Sequence, residues 1–210
     1  LVNAQWVKDK LAKPDVVFLD VRGSVGAFRA GHIPGAVFTS YGRDKWRVEM
    51  QGVPGMLPPL KNLEKLIGGL GIGNDTHVVL VPGGYSSGDM GIATRIYWTF
   101  KVLGHDAVSI LDGGFLAYAQ DNKNPQQKTY APPRPKTFKA KFQPELLATA
   151  KDIKKALDGD GTALLDMRSN DQYLGINKSA SVKRPGTLKG SVNLPGQWVT
   201  VNDGGKFRSV

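Results

Sequence analysis

Two parts of the chain repeat each other. Residues 17–22 read Val-Phe-Leu-Asp-Val-Arg, and residues 163–168 read Ala-Leu-Leu-Asp-Met-Arg. Residues 31–37 and residues 186–192 share the pattern Gly-x-aliphatic-x-Gly-x-Val. The offset is 146 positions at the first match and 155 at the second, so the second copy holds nine extra residues, in the basic stretch 177–184. A period this long indicates duplicated domains, since solenoid repeats span roughly 20–50 residues.

Short apolar runs alternate with helical patterns in the first copy. Asn3 is placed to cap a short helix that ends before Pro14, because the residue before a proline avoids the α region. Apolar residues at helical spacing run from Ile92 to Leu103 and stop at Gly104. Strands are predicted at residues 16–19, 78–81 and 107–111. This alternation predicts an α/β fold with an open parallel sheet and helices on both faces.

The second copy starts in the same way. Thr149 is predicted to cap a helix over residues 150–157 with Ile153 and Leu157 facing inward, and residues 163–165 are predicted to form a strand. A proline-rich stretch separates the copies and predicts an extended linker. The predicted organisation is a complete domain over 1–122, a linker over 123–144 and the first part of a second domain over 145–210.

Cysteine is absent from the sequence. Its absence excludes disulfides, cysteine-ligated zinc, cysteine-held iron–sulfur clusters and any cysteine nucleophile from this chain. His32, His77 and His105 have no acidic or histidine partners at ligand spacing, so no metal site and no cofactor is expected.

The charge is uneven along the chain. Residues 126–210 carry 15 Lys and Arg against 7 Asp and Glu, within a formal net charge of +10. The lysines are scattered with few aromatic residues between them, which favours a solvated basic surface over nucleic-acid binding. No apolar run approaches the roughly 18 residues of a membrane span, and no signal peptide is visible at the first residues. The sequence is compatible with a cytoplasmic and with a periplasmic location.

Four motifs in series carry a family resemblance. They are Asp-Val-Arg after a buried strand, residues 31–36 (Gly-His-Ile-Pro-Gly-Ala) following Phe28, residues 103–105 (Leu-Gly-His) and residues 111–114 (Leu-Asp-Gly-Gly). Together they resemble the rhodanese domain of sulfurtransferases. The duplication resembles the tandem type, which comprises thiosulfate and 3-mercaptopyruvate sulfurtransferases. From the residues themselves, we expect Asp20 and Arg22 to pair and tie down the loop after the first strand.

The resemblance implies a chemistry that needs a cysteine. In the family, a loop between a buried strand and a helix holds a Cys thiolate that takes up sulfane sulfur as a persulfide, and backbone N–H groups stabilise that anion. The corresponding loop of the first copy has no Cys and is interpreted as vestigial. It consists of Pro82, Gly83, Gly84, Tyr85, Ser86, Ser87 and Gly88.

In the second copy the same spacing places the loop near position 237, so the family Cys is expected beyond Val210. The chain alone is therefore predicted to be inactive. For the parent protein, the resemblance implies a small anionic sulfur donor and a thiol or cyanide acceptor. An incomplete second domain would expose a strand edge and apolar faces, so we expect either a proteolytic or disordered remainder of the chain or a partner chain that covers the gap. A homo-oligomer stays open.

The resemblance assigns supporting roles to Asp166, Arg168 and Gln172. Active tandem members usually have Arg immediately before the Tyr-Leu-Gly of this repeat, whereas this chain has Gln172 there. Glutamine brings no charge, so a thiosulfate-like dianion would be held less well. Cations of the inserted stretch could compensate, although a solvated loop is the simpler interpretation; they are Lys178, Lys183 and Arg184.

The loop 82–88 also fits parts of two other functional motifs. Residues 84–88 fit Gly-x-Ser-x-Gly, the nucleophile elbow of α/β-hydrolases. The only histidine that follows is His105, nineteen residues on and next to the end of the same predicted helix, and Pro82 and Gly83 separate the elbow from the strand, so the required context is missing. Gly83 and Gly88 have Walker A spacing, but Asp89 stands where Lys is needed. The alternative that stays open is a non-catalytic rhodanese-like module that binds an anion or a partner protein, with Asp89 opposing an anion.

Overall fold

The computed structural model describes residues 1–209. Its helices are α1 (Ala4–Asp9), α2 (Val25–Ala30), α3 (Leu60–Gly69), α4 (Ser87–Val102), α5 (Gly114–Ala119), α6 (Ala150–Leu157) and α7 (Asn170–Tyr173). Its strands are β1 (Val16–Asp20), β2 (Val37–Phe38), β3 (Val48–Met50), β4 (Val53–Met56), β5 (His77–Val81), β6 (Val108–Ile110), β7 (Leu165–Asp166) and β8 (Val192–Asn193). Short 3₁₀ helices lie at Pro144–Leu146, Gly196–Val199 and Val201–Asp203.

The main sheet has four parallel strands in the order β2-β1-β5-β6. In the register of its centre, Leu19 lies between Val37 of β2 and Leu80 of β5. Val78, Val79, Leu80 and Val81 are fully buried, as expected for a strand that is covered on both faces. The antiparallel hairpin β3–β4 lies apart from this sheet and was not predicted from the sequence.

Helices cover both faces of the sheet, which confirms the predicted open α/β architecture. On one face α3 and α4 pack with Trp46 and Phe138 against alternate strand residues. On the other face α1, α2 and α5 pack against the remaining strand residues, including Phe18 and Val79. The C-terminal ends of the parallel strands therefore meet at one edge, where the loop that follows β5 is held.

The proline-rich stretch runs along the first copy. Residues 128–143 of this stretch form neither helix nor strand, and Phe138 inserts into the core at 2% exposure. Lys136 N–H donates to Gly68 O at 2.9 Å, and Lys141 N–H donates to Leu103 O at 2.8 Å. These contacts fix the segment to the helices α3 and α4, while the predicted boundaries at 122 and 144 stay a prediction.

The second copy repeats the order helix, strand, helix, strand. Thr149 caps α6 in a capping box with Asp152, as the sequence predicted for the cap. The predicted inward position of Leu157 is wrong, since this residue is 43% exposed. The predicted strand is found at Leu165–Asp166, and Leu165 is 55% exposed. The physical reason is that β7 pairs with β8 on one edge and no strand of residues 1–209 pairs with its other edge.

None of the helices formed by residues 1–209 has the length and apolar character needed to cross a membrane.

Candidate functional site

The loop 82–88 joins β5 to α4 at the C-terminal edge of the main sheet. It lies against the turn before α5, where Phe115 N–H donates to Pro82 O at 2.8 Å and Leu116 N–H donates to Gly83 O at 3.0 Å. Gly114 has φ +62°, and a Cβ there would lie 2.5 Å from Pro82 O. A residue larger than glycine at position 114 would therefore push the loop away.

A carboxylate of the chain itself occupies the loop. Asp89, in the first turn of α4, accepts a hydrogen bond from Tyr85 N–H at 3.0 Å. A Cβ at Gly83 would lie 2.9 Å from Asp89 Oδ2. A second carboxylate is close by, since the Ser87 hydroxyl donates to Asp203 Oδ1. The loop N–H groups and the N-terminus of α4 could stabilise an external anion, but the carboxylates of Asp89 and Asp203 already lie beside them.

Ser86 is used structurally. It is the N-cap of α4, and its Oγ accepts a hydrogen bond from Asp89 N–H at 3.2 Å. Among the hydrogen bonds of residues 1–209, none joins Ser86 to a histidine. A capping oxygen without a general base does not fit the hydrolase alternative.

Asp20 and Arg22 form a buried ion pair after β1, as predicted. Arg22 Nη2 lies 2.8 Å from Asp20 Oδ2 and also donates to Gly31 O at 2.7 Å. The guanidinium lies over the Phe115 ring at 3.9 Å from its centroid. Burial raises the pKa of the Asp20 carboxyl, and its bonds to Arg22 oppose that rise. The pair ties the end of β1 to α5 and to the loop after α2.

Asp166 and Arg168 form the matching pair after β7. Arg168 Nη2 donates to Asp166 Oδ2 at 2.6 Å and to Gly186 O at 2.9 Å. Thr187 Oγ1 also donates to Asp166 Oδ2, at 2.8 Å. Arg168 bonding lowers the pKa of Asp166 well below its usual range, and Asp166 in turn raises the pKa of Arg168. The Arg168 side chain is 39% exposed, against 7% for Arg22.

A cavity of about 670 Å³ opens beside this second pair. Asp166, Arg168 and Arg184 line it together with Thr187 and an apolar wall. The apolar wall consists of Ile153, Leu164, Leu165, Pro185 and Leu188. The structure therefore brings two of the three predicted supporting residues to one cavity and adds Arg184 from the inserted stretch.

The third predicted residue, Gln172, lies on α7 and does not line that cavity. Its neighbour Tyr173 fixes the helix by donating from its hydroxyl to Ser191 O at 2.9 Å. Of the other inserted cations, Lys178 donates to Val182 O at 2.8 Å within its own loop, and Lys183 is exposed. The structure thus separates Gln172 from the cavity that holds Arg168 and Arg184.

A second cleft, of about 490 Å³, lies between the two copies. The first half of the cleft is formed by α4, with Ser87 and Gly88 from its start and Arg95 from its middle, and the second copy contributes Met167 and Thr200. The sequence did not indicate this cleft, because the residues that meet there are about a hundred positions apart and share no motif.

The histidines have separate surroundings. His32 Nδ1 lies 2.8 Å from Phe28 O and its ring stacks on Phe28, while His77 Nε2 lies 3.0 Å from Ser109 Oγ. Burial lowers the pKa of both His77 and His105. Within the part of the chain that the structure describes, no three His, Asp or Glu side chains group together as a metal site would require.

The chain is similar in sequence to known sulfurtransferases. The sequence profile of the rhodanese-like domain matches residues 3–121. Human 3-mercaptopyruvate sulfurtransferase is 32% identical over 210 residues, which cover 93% of this chain and 68% of that protein. Mouse thiosulfate sulfurtransferase is 30% identical over 219 residues, which cover 97% of this chain and 71% of that protein.

A similar fold occurs in solved structures. A crystal structure of a 3-mercaptopyruvate sulfotransferase from Escherichia coli superimposes with a TM-score of 0.79 at 24% identity, covering 100% of this chain and 79% of that chain. One from Leishmania major, a 3-mercaptopyruvate sulfurtransferase, gives a TM-score of 0.76 at 22% identity, covering 99% and 58%. At these sequence identities the similarity to the two solved structures is one of fold.

Proposed function

The chain belongs to the rhodanese-like domain family, and from this premise we propose that it serves a sulfurtransferase as a scaffold that does not itself carry the transferred sulfur. The observation that carries the proposal is the absence of cysteine in a chain whose relatives are sulfurtransferases. A persulfide forms on a sulfur nucleophile, and none of the 210 residues provides a thiol.

The loop geometry supports the same conclusion. Asp89 accepts the Tyr85 N–H and lies beside Gly83, so the loop already satisfies one of its own donors with a carboxylate. A persulfide or thiolate placed at this loop would meet the negative charges of Asp89 and Asp203. Repulsion of this kind raises the pKa of a thiol and disfavours bound anions.

For the complete reaction, we propose transfer from thiosulfate or 3-mercaptopyruvate through a cysteine supplied outside these 210 residues. With thiosulfate, the thiolate attacks the sulfane sulfur, the S–S bond of the donor breaks and sulfite leaves with its electron pair. Cyanide or a thiolate then attacks the outer sulfur of the persulfide and regenerates the cysteine thiolate. Arg184, beside the Asp166–Arg168 ion pair, gives the cavity of the second copy a positive charge suited to an anionic donor.

The test is sulfur loading of the purified 210-residue chain. The chain is incubated with thiosulfate or with 3-mercaptopyruvate, its intact mass is measured, and cyanide is added to detect thiocyanate. Mouse thiosulfate sulfurtransferase serves as the positive control for thiosulfate and the human 3-mercaptopyruvate enzyme for the other donor. We expect no gain of a sulfur atom and no thiocyanate above buffer. Single-turnover loading in proportion to the chain would overturn the proposal.

A second candidate is a non-catalytic module that binds a partner protein. The exposed apolar residues of the second copy favour it, among them Leu165 and Val192 at 55% and 65% exposure. Anion binding at the loop 82–88 is disfavoured by Asp89 and Asp203, as described above. Sulfur loading of the 210-residue chain would contradict both the scaffold proposal and this second candidate.

A further inference from the structure

The edge strand β2 of the first copy borders a cavity of about 350 Å³. The lining residues come from α2, from β2 and the turn after it, and from the proline-rich stretch. They are Val25, Phe28, Arg29, Phe38, Arg43 and Tyr130. None of them belongs to the loop 82–88 or to the second copy, so the sulfurtransferase chemistry proposed above leaves this cavity without a role.

The walls of the cavity are aromatic. Phe28 belongs to the core, and its ring centroid lies 5.4 Å from that of Phe38 and 5.5 Å from that of Tyr130. His32 stacks on the Phe28 ring at 3.9 Å between centroids, which fixes the position of that ring. Tyr130 is 46% exposed and Val25 is 39% exposed, so solvent reaches the cavity. A further aromatic ring entering it would gain edge-to-face or offset contacts with these walls.

Two guanidinium groups line the same cavity. Arg29 lies in the last turn of α2 and takes part in no ion pair within residues 1–209. The Arg43 guanidinium lies 5.6 Å from the centroid of the Phe38 ring. The cations therefore stand beside the aromatic walls, and no lining residue is acidic.

A single neighbouring carboxylate contacts one of these cations. Arg43 Nε lies 3.4 Å from Asp44 Oδ1. Asp44 does not line the cavity, and its Oδ2 accepts from the Thr39 hydroxyl and from Ser40 N–H, each at 2.8 Å. Because this carboxylate is held by its own turn and can offset only one guanidinium, the cavity keeps a net positive charge.

The size and chemistry of the cavity restrict its ligand. Small-molecule sites have volumes of about 300–1,000 Å³, and this cavity is at the lower end of that range. Guanidinium groups bind carboxylate or phosphate through paired N–H donors, and aromatic walls favour a planar ring. These features favour a ligand of one or two rings with an acid group. Neither thiosulfate nor 3-mercaptopyruvate has a ring, so the sulfur donors belong to a different class.

We propose that this cavity binds a small aromatic anion, with its ring or fused rings packed against Phe38 and Tyr130 and its acid group held by Arg29 and Arg43. Affinity for the ligand then requires both parts at once, the ring and the charge. The ligand contacts three separate segments of the first copy and binds only when they are folded together, so it stabilises the folded first copy.

The test is an NMR titration of the ¹⁵N-labelled full chain with 2-naphthoate. Two matched probes accompany it: 2-naphthylmethanol has the rings without the charge, and acetate has the charge without the rings. We expect 1:1 binding of 2-naphthoate with a dissociation constant of about 1 mM or tighter, and binding of each matched probe about tenfold weaker or more. Backbone amide shifts should cluster at residues 25–30, 38–43 and 128–132. Acetate binding as tight as that of 2-naphthoate would overturn the proposal.

The charge requirement is tested at an exposed lining residue. Arg29→Gln should weaken binding of 2-naphthoate about tenfold and leave the affinity for 2-naphthylmethanol unchanged. The matched control is Arg134→Gln, which lowers the net charge equally at an exposed arginine that does not line the cavity. This control should leave both affinities unchanged.

The ring requirement is tested at Tyr130. Tyr130→Ala removes one wall and should weaken binding of both naphthyl compounds about threefold to tenfold, whereas Tyr130→Phe should retain both affinities. The proposal is wrong if 2-naphthoate binds Arg29→Gln or Tyr130→Ala as tightly as it binds the parent chain, or if the parent shows no saturable binding up to about 10 mM. None of these measurements depends on sulfur transfer, so a failure here is distinguishable from a failure of the proposed function.

Discussion

The two copies of the repeat have the same local chemistry in different surroundings. Each has a capped helix, a strand that ends in Asp-x-Arg, and an arginine that bonds the carbonyl of a glycine, Gly31 in one copy and Gly186 in the other. The strand residue Leu19 is fully buried, whereas its counterpart Leu165 is 55% exposed. Short-range motifs form from neighbouring residues alone, while burial depends on strands and helices supplied from far along a chain.

The largest expected difference between the copies concerns their arginines. Arg22→Ala leaves the buried Asp20 carboxylate without its partner and should cost about 3–5 kcal/mol of unfolding free energy. Arg168→Ala removes a half-exposed partner and should cost about 1 kcal/mol or less. Urea unfolding followed by the fluorescence of the buried Trp46 measures the first copy, and amide exchange at Thr187 reports the second. Equal losses in both variants would contradict the comparison.

The strand leucines give the next effect. Leu19→Ala opens a cavity in the main core and should cost about 2–5 kcal/mol. Leu165→Ala changes a side chain that solvent already reaches, so the unfolding free energy should stay within about 0.5 kcal/mol of the parent. The urea unfolding midpoints of Leu19→Ala and Leu165→Ala, each compared with that of the parent chain, measure the two losses. A substantial loss on Leu165→Ala would show that this residue is packed in solution.

The helix caps should produce a smaller effect. Asn3 accepts from Trp6 N–H at 2.8 Å, and α1 is held in the core by Val7, so Asn3→Ala should lower the global unfolding free energy by about 1 kcal/mol. Thr149→Ala removes the cap of α6, which buries none of its residues. It should increase amide exchange within α6 and leave the urea midpoint of the first copy unchanged. A shift of that midpoint would show that α6 supports the main core.

The smallest effect is a difference in pH dependence. Because Arg168 lowers the pKa of Asp166, this carboxylate stabilises the fold above its unfolded pKa of about 3.8, and that contribution is lost as the pH falls below it. Burial raises the pKa of Asp20, so the folded state takes up a proton there before the unfolded state does, and acid does not weaken the first copy through this group. Carboxyl ¹³C titration of both residues provides the check. A higher pKa for Asp166 than for Asp20 would contradict the account.

Much of the main sheet could be predicted from the sequence. The strands 16–19, 78–81 and 107–111 were placed to within one residue at each end, since buried parallel strands are continuous apolar runs. The hairpin β3–β4 and the helix α3 were not assigned. The hairpin strands carry exposed apolar residues such as Val53, and the turn between them shows itself by the positive φ of Gln51 and Gly52.

The environment of the candidate site could not be predicted. The sequence indicated that Asp89 would oppose an anion at the loop, but not that its carboxylate would accept the Tyr85 N–H. The approach of Asp203 to Ser87 joins residues 116 positions apart. Burial of Leu157 was predicted wrongly, because an apolar pattern indicates which side chains favour a core and does not show whether tertiary structure covers them. The separation of Gln172 from the cavity of Arg168 likewise depends on how α7 is held by Tyr173.

The contrast between the two copies is tested most directly by measuring hydrogen exchange at two equivalent backbone amides of the unmodified chain. Val21 N–H donates to Val81 O across the main sheet, and Met167 is its counterpart beside the open edge of β7. We predict that Val21 exchanges only on global unfolding, and that Met167 exchanges through local opening, faster by several orders of magnitude. Equal protection at Val21 and Met167 would contradict the account.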